Sequence, residues 1–291
     1  MIEIRDKFRP FSHLPGTHCV IPGSDYVVQV FPTLIKVQGG GEFLTHLTGP
    51  VEEFTVQLDL ERDCVFVWGR AKEGYFRLRL EALEEGLVLT VLRGSALQLK
   101  TKEKLVLATG GSLLSRKPAE RLSLGGFKAQ DWELIRRRAN LAEISPTLFL
   151  LGQKIPRVSA VSIPDLKSCF LSSFSSLFFP HLIDPFHQGI ATAEASDPLE
   201  ILPACYQKIR SFLIDEMRIL PALPHDWHAG RALRLETAVG SIDLEWTKGM
   251  IRRMAFRPTT EKPVEFTFPK QVRSFRTTVK DGVTLFDRFQ K

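Results

Sequence analysis

From Tyr26 to about Thr109 the chain runs in short alternations of apolar and polar residues, cut by turn formers. Phe76, Leu78 and Leu80 alternate with Arg77, Arg79 and Glu81, and Val56, Leu58 and Leu60 alternate with Thr55, Gln57 and Asp59. A period of two sends one set to a core face and the other to water, which is the pattern of antiparallel strands. Leu87, Leu89 and Val91 follow the turn Glu84-Glu85-Gly86, and the nearly continuous apolar run Cys64 to Trp68 suits a strand covered on both faces. Strands in succession with no helix between them predict an antiparallel β-sandwich over 1–111. His13, His18 and Cys19, spread around Pro15-Gly16, read as a loop ahead of it.

Over 112–216 the period changes. Trp132, Ile135 and Ala139 fall at helical spacing, with Asp131 and Glu133 at the start, where the helix dipole favours acids; the spacing predicts one helix from Gln130 to Leu141. Pro164-Asp165 opens a second, through Phe170, Phe174, Leu177 and Phe178 to Pro180, and a third runs from about Pro203 to Asp215. Over 217–291 strands return. Ile242, Leu244 and Trp246 alternate with acids, Thr247-Lys248-Gly249 makes a hairpin turn, and Val264, Phe266 and Phe268 alternate again. The fold class is therefore α+β: a sandwich, a helical middle and a closing β segment.

With 291 residues, 44% of them hydrophobic, the chain can bury a sizeable core without metal or disulfide. The four cysteines, Cys19, Cys64, Cys169 and Cys205, lie far apart and read as reduced core thiols. The opening Met1-Ile2-Glu3-Ile4-Arg5-Asp6-Lys7 has no apolar run of the kind a secretory leader needs, so a cytoplasmic location is expected. The most apolar stretch, Cys169 to Ile183, is too short and too broken to span a bilayer. A net charge of +6 permits contact with nucleic acid, but the basic residues are scattered and give no strong signal for it. Neither GxGxxG nor GxxxxGK[ST] occurs, and His181, His187, His225 and His228 lack carboxylate or cysteine partners at ligand spacing; no cofactor or metal is expected.

One segment carries more than composition. Arg218-Ile219-Leu220-Pro221-Ala222-Leu223-Pro224-His225-Asp226-Trp227, followed by Gly240-Ser241-Ile242-Asp243-Leu244-Glu245-Trp246-Thr247-Lys248-Gly249, resembles the passage from helical barrel to C-terminal β domain in the α-L-fucosidases of glycoside hydrolase family 95. Upstream, Leu182-Ile183-Asp184-Pro185-Phe186-His187-Gln188-Gly189 is similar to the family's loop that holds the catalytic base. In this chain the only nearby aspartate, Asp184, stands before Pro185-Phe186 instead of after it. The interval 112–216 is also too short for a barrel of twelve helices at ~10–14 residues each. What the resemblance implies is a reduced relative without a full barrel.

On that resemblance Asp184 is the candidate catalytic carboxylate, and His187, Gln188 and Trp227 are candidate sugar-binding residues. Asp184 equally suits the turn ahead of Pro185. Trp227 either stacks on a sugar ring or packs between the helices and the last sheet. The implied function is a glycosidase-like, carbohydrate-related protein that binds a glycan or oligosaccharide or retains minimal hydrolysis. The alternative is a structural or interaction protein built on a glycosidase scaffold.

Overall fold

The computed structural model describes residues 2–99, 102–107, 111–114, 119–125, 130–138, 140–176, 197–259, 261, 263–268, 274–280 and 282–290. Two antiparallel sheets make up the first third. One has six strands in the order β1 (Phe11–Ser12), β6 (Glu52–Asp59), β7 (Cys64–Ala71), β8 (Gly74–Leu83), β9 (Gly86–Arg93) and β10 (Lys104–Leu107); the other runs β2 (Thr17–Val20), β3 (Val27–Val30), β4 (Leu34–Val37), β5 (Glu42–Leu44). The alternation sets their inner faces: Val28, Val30 and Ile35 from the smaller sheet share a core with Val56, Leu58, Val67, Leu78 and Leu89 from the larger. Each such buried side chain is worth about 1.5–3 kcal/mol over an exposed one. The strands begin earlier than the sequence suggested. Gly16 takes φ +80 and turns the chain, so His18 and Cys19 lie on β2 and not in a loop.

The apolar run Cys64 to Trp68 is covered on its outer side as well, though not by another layer. Phe66 is 3% exposed, and the guanidinium of Arg77 from the next strand lies over its ring.

The helical middle departs from the sequence expectation at its first described helix and at the start of its last. A single helix from Gln130 to Leu141 was expected; instead α1 (Trp132–Arg138) stops and α2 (Leu141–Gly152) starts anew, its N-cap Asn140 accepting from Ala142 N at 3.1 Å. Ile144 to Gly152 of α2 are all buried, so no polar face exists to give a 3.6-residue period. Helices α3 (Leu166–Ser176) and α4 (Pro198–Leu213) complete the described helices, with Asp197 capping α4 and Pro198 in its first turn. The expected start at Pro203 is therefore about one and a half turns late, because Pro203 lies inside the helix. Gly152 lets α2 approach α4: a Cβ there would sit 2.2 Å from the carbonyl of Leu202.

Two short strands, β12 (Ile214–Asp215) and β13 (Arg218–Ile219), lead to the last sheet. Its order is β11 (Arg121–Ser123), β14 (Ala229–Thr237), β15 (Gly240–Thr247), β16 (Met250–Pro258), β18 (Val283–Gln290), β17 (Ser274–Lys280). The β15–β16 hairpin turns at Lys248 and Gly249, both with positive φ, as read from the sequence. The alternation at Val264, Phe266 and Phe268 is not a strand; only Thr267 bridges to Arg218. Its apolar residues pack on rings instead, Phe266 against Phe256 and Phe286, and Phe268 against Phe289.

Strand β11 comes from before the helices, so the last sheet and the helical layer are stitched together. Buried Glu120 is the knot. Its carboxylate accepts from Arg210 Nε at 3.1 Å, from Tyr206 Oη at 3.0 Å and from Glu236 N at 2.8 Å, joining α4 and β14. Burial and the adjacent carboxylate push the Tyr206 phenol well above its ordinary range. Among the described residues no helix is long and apolar enough to cross a membrane.

Candidate functional site

The N-terminal segment 3–6 lies across the start of the last sheet. Arg121 Nη2 donates to Asp6 O at 2.6 Å, Ser123 Oγ to Asp6 Oδ2 at 2.5 Å, and Arg231 Nη1 to Glu3 O at 3.2 Å. Two cavities open beside it and share Asp6, Ser123 and Gly125 in their walls.

The inner chamber has a volume of about 230 Å³ and is lined by Asp6, Phe8, Gln130, Asn140 and Glu143. Gln130 is fixed from both ends, its Oε1 accepting from Arg9 N at 2.8 Å and its Nε2 donating to Thr147 Oγ1 at 3.2 Å. Glu143 stands in the first turn of α2, where an acid is favoured, and its Oε1 pairs with Arg138. Its other oxygen, Oε2, is buried without a hydrogen-bond partner. Ser123 occupies one oxygen of Asp6. Two carboxylates and a phenyl ring thus line one small chamber.

The outer chamber measures about 740 Å³, within the range of ligand-binding clefts. Its wall is a row across three strands, in which Arg231 on β14 faces Glu245 on β15 and Glu245 faces Arg253 on β16. Glu245 accepts from Arg231 Nε at 3.2 Å and from Arg253 Nε at 2.6 Å. Burial pushes its carboxyl up, but hydrogen bonds and charge from Arg253 and Arg231 outweigh this and hold it below the ordinary carboxylate value. Trp246 lies behind the row, 1% exposed, and Gly230 is needed in front of it, since a Cβ there would stand 2.2 Å from the indole Cζ2.

Of the residues that the sequence nominated, Asp184, His187 and Gln188 lie outside the described residues. Trp227 is described and does not offer a sugar platform. It is 1% exposed, its ring meets Phe212 edge-on at 5.9 Å, and its carbonyl accepts from Trp246 Nε1 at 3.0 Å. With no ring face open to solvent, stacking on a ligand is replaced by packing between α4 and the last sheet. Among the described residues no group of three His, Cys, Asp or Glu side chains is placed to hold a metal ion.

The carboxylates of the inner chamber were not legible as a pair. Asp6 and Glu143 are 137 positions apart, and Glu143 belongs to the helix that showed no periodicity. Compared with protein-family models, with curated proteins and with solved structures, the chain matches none.

Proposed function

We propose that this chain is a carbohydrate-related protein that binds a glycan in the two-chambered cleft, with Asp6 and Glu143 hydrogen-bonding sugar hydroxyls in the inner chamber. The observation that carries this reading is the meeting of two carboxylates, each already holding one donor, with Phe8 in a chamber that shares Asp6, Ser123 and Gly125 with a larger neighbouring one. Carboxylates with spare acceptor sites suit sugar hydroxyls, which are donors. Glycoside hydrolysis asks more: one carboxyl must carry a proton for the leaving oxygen while the other activates water or attacks. Glu143 is engaged as an acceptor by Arg138, and binding with little or no turnover is the reading favoured.

A glycan array followed by calorimetry on the best ligand tests it, with wild type, Asp6→Asn, Glu143→Gln and Asp184→Asn in parallel. The expected result is binding that falls at least tenfold in the first two variants, with turnover of aryl glycosides near the uncatalysed rate. No glycan bound, or binding untouched by both changes, would overturn the reading. Loss of binding in Asp184→Asn alone would move the site to the loop before Pro185.

The alternative, an interaction protein without a sugar site, is favoured by one feature: Val158 is 97% exposed and Leu171 56% exposed, both near the start of α3 or on it. Failure of the array together with self-association or partner capture lost on Val158→Ser and Leu171→Ser would establish it.

A further inference from the structure

The outer face of the six-stranded sheet carries a row of a different kind. Thr55 on β6 stands opposite Trp68 on β7, Trp68 opposite Arg77 on β8, and Arg77 opposite Arg93 on β9. Residues directly opposite in an antiparallel pair share a face, so the two arginines are neighbours. Strict alternation would not have put them there. The register slips between Arg77 and Leu78: Leu78 faces Val91, Arg77 faces Arg93, and Leu92 is the extra residue of a bulge. Bulges re-aim side chains, and this one carries Arg93 to the side of Arg77. The chain leaves it through Gly94 at φ +79, where a Cβ would lie 2.7 Å from the carbonyl of Tyr75.

Like charges opposite one another destabilise a sheet. Two other cations at this face do have counter-ions: Arg79 pairs with Glu81 at 2.7 Å and Arg9 with Asp59 at 3.0 Å. Among the described residues neither Arg77 nor Arg93 has an ion-pair partner, and Arg77 Nε is buried without an acceptor. The Arg77 guanidinium is nevertheless fixed, its central carbon 4.8 Å from the ring centroid of Phe66 and 5.5 Å from that of Trp68. A guanidinium laid on rings keeps its N–H edge free for a planar or tetrahedral anion. Half-buried Arg77 and exposed Arg93 therefore present two uncompensated positive charges side by side.

We infer that Arg77 and Arg93, backed by Phe66 and Trp68, form a binding site for the terminal phosphate of a phosphomonoester. The charge decides between phosphate classes: a monoester carries about −1.5 to −2 at pH 7 and matches two guanidiniums, whereas each phosphodiester of a nucleic acid carries a single charge. The site does not depend on the glycan cleft.

Calorimetry at low ionic strength tests the assignment on the full chain. The probes are inorganic phosphate, glucose 6-phosphate as a monoester, and an oligodeoxythymidylate without terminal phosphates as the diester. The variants are Arg77→Gln, Arg93→Gln, and Arg62→Gln in the β6–β7 turn as a control for net charge, each checked for an unchanged far-ultraviolet spectrum. Arg77→Lys and Arg93→Lys keep the charge and remove the planar fork. Phosphate and the monoester should bind wild type and bind at least tenfold more weakly to both glutamine variants. The lysine variants should fall between, and Arg62→Gln should stay within about twofold. The assignment is overturned if wild type binds neither probe, if both glutamine variants bind like wild type, or if the diester binds more tightly than the monoester.

Discussion

Two cross-strand rows, each with a pair of arginines, lie on two sheets of this molecule, and they differ in what stands beside those arginines. In the last sheet Glu245 separates Arg231 from Arg253; in the sandwich the aromatic Trp68 flanks Arg77, and Arg93 follows without a carboxylate between them. The first row is electrically closed, with both guanidiniums committed to Glu245. The second is open, and its arginine is oriented by rings instead of by a counter-ion. Arginine on a sheet surface has no fixed meaning; what stands opposite decides whether it seals a wall or awaits a ligand.

The sharpest way to test the contrast is through the tryptophans. Trp246 is buried behind the closed row and donates to Trp227 O, so Trp246→Ala should cost about 3–5 kcal/mol in urea unfolding. Trp68 is only half-buried in front of the open row, and Trp68→Ala should cost about 1–2 kcal/mol while weakening phosphate binding. Equal losses would mean that the two rows rest on the same kind of packing.

Glu245→Gln opens the closed row and should destabilise by about 1–2 kcal/mol at pH 7, the half-exposed arginines limiting the effect. Because its folded carboxyl titrates below the ordinary value of 4.5, Glu245 contributes stability that is fully present above that pH and is lost as pH falls through the lowered folded value. Unfolding midpoints taken at pH 7 and near pH 3 should therefore differ less in Glu245→Gln than in wild type. Identical pH dependence would show that the row is not closed by this carboxylate.

Arg93→Glu does the reverse and closes the open row. It should raise stability by about 0.2–1 kcal/mol, the worth of an opposite-charge pair across strands, and abolish phosphate binding. Destabilisation would mean that Arg77 and Arg93 do not feel each other.

The sequence revealed what a period of two or of 3.6 can carry. Leu78 and Leu80 against Arg77 and Arg79, or Ile242 and Leu244 against Ser241 and Glu245, each have a dry side and a wetter one, and the sandwich and the last sheet follow from that, although Asp243 between them is buried and held by Arg234 N and Arg257. Helix α2 was invisible for the opposite reason: from Ile144 to Gly152 both sides are dry. The strand expected at Val264 to Phe268 was a false period, produced by phenylalanines that pack on other rings. Both candidate sites escaped because they are long-range. Asp6 meets Ser123 through a hydrogen bond that spans most of the sandwich, and Arg93 reaches Arg77 only through a bulge whose single extra residue no pattern announces.

The pairing of β11 with β14 has a consequence for how the protein is made. Leu122 pairs with Ala232, about 110 residues later in the chain. At ~5–20 residues per second of synthesis, β11 waits roughly 5–20 s for its partner to be translated, so its edge needs other cover in that interval. Glu3 and Asp6 wait longer still, since the wall they face ends at Arg253. The cleft is thus assembled only once β16 has been made, when the strand that carries Arg253 completes a wall opposite Glu3 and Asp6.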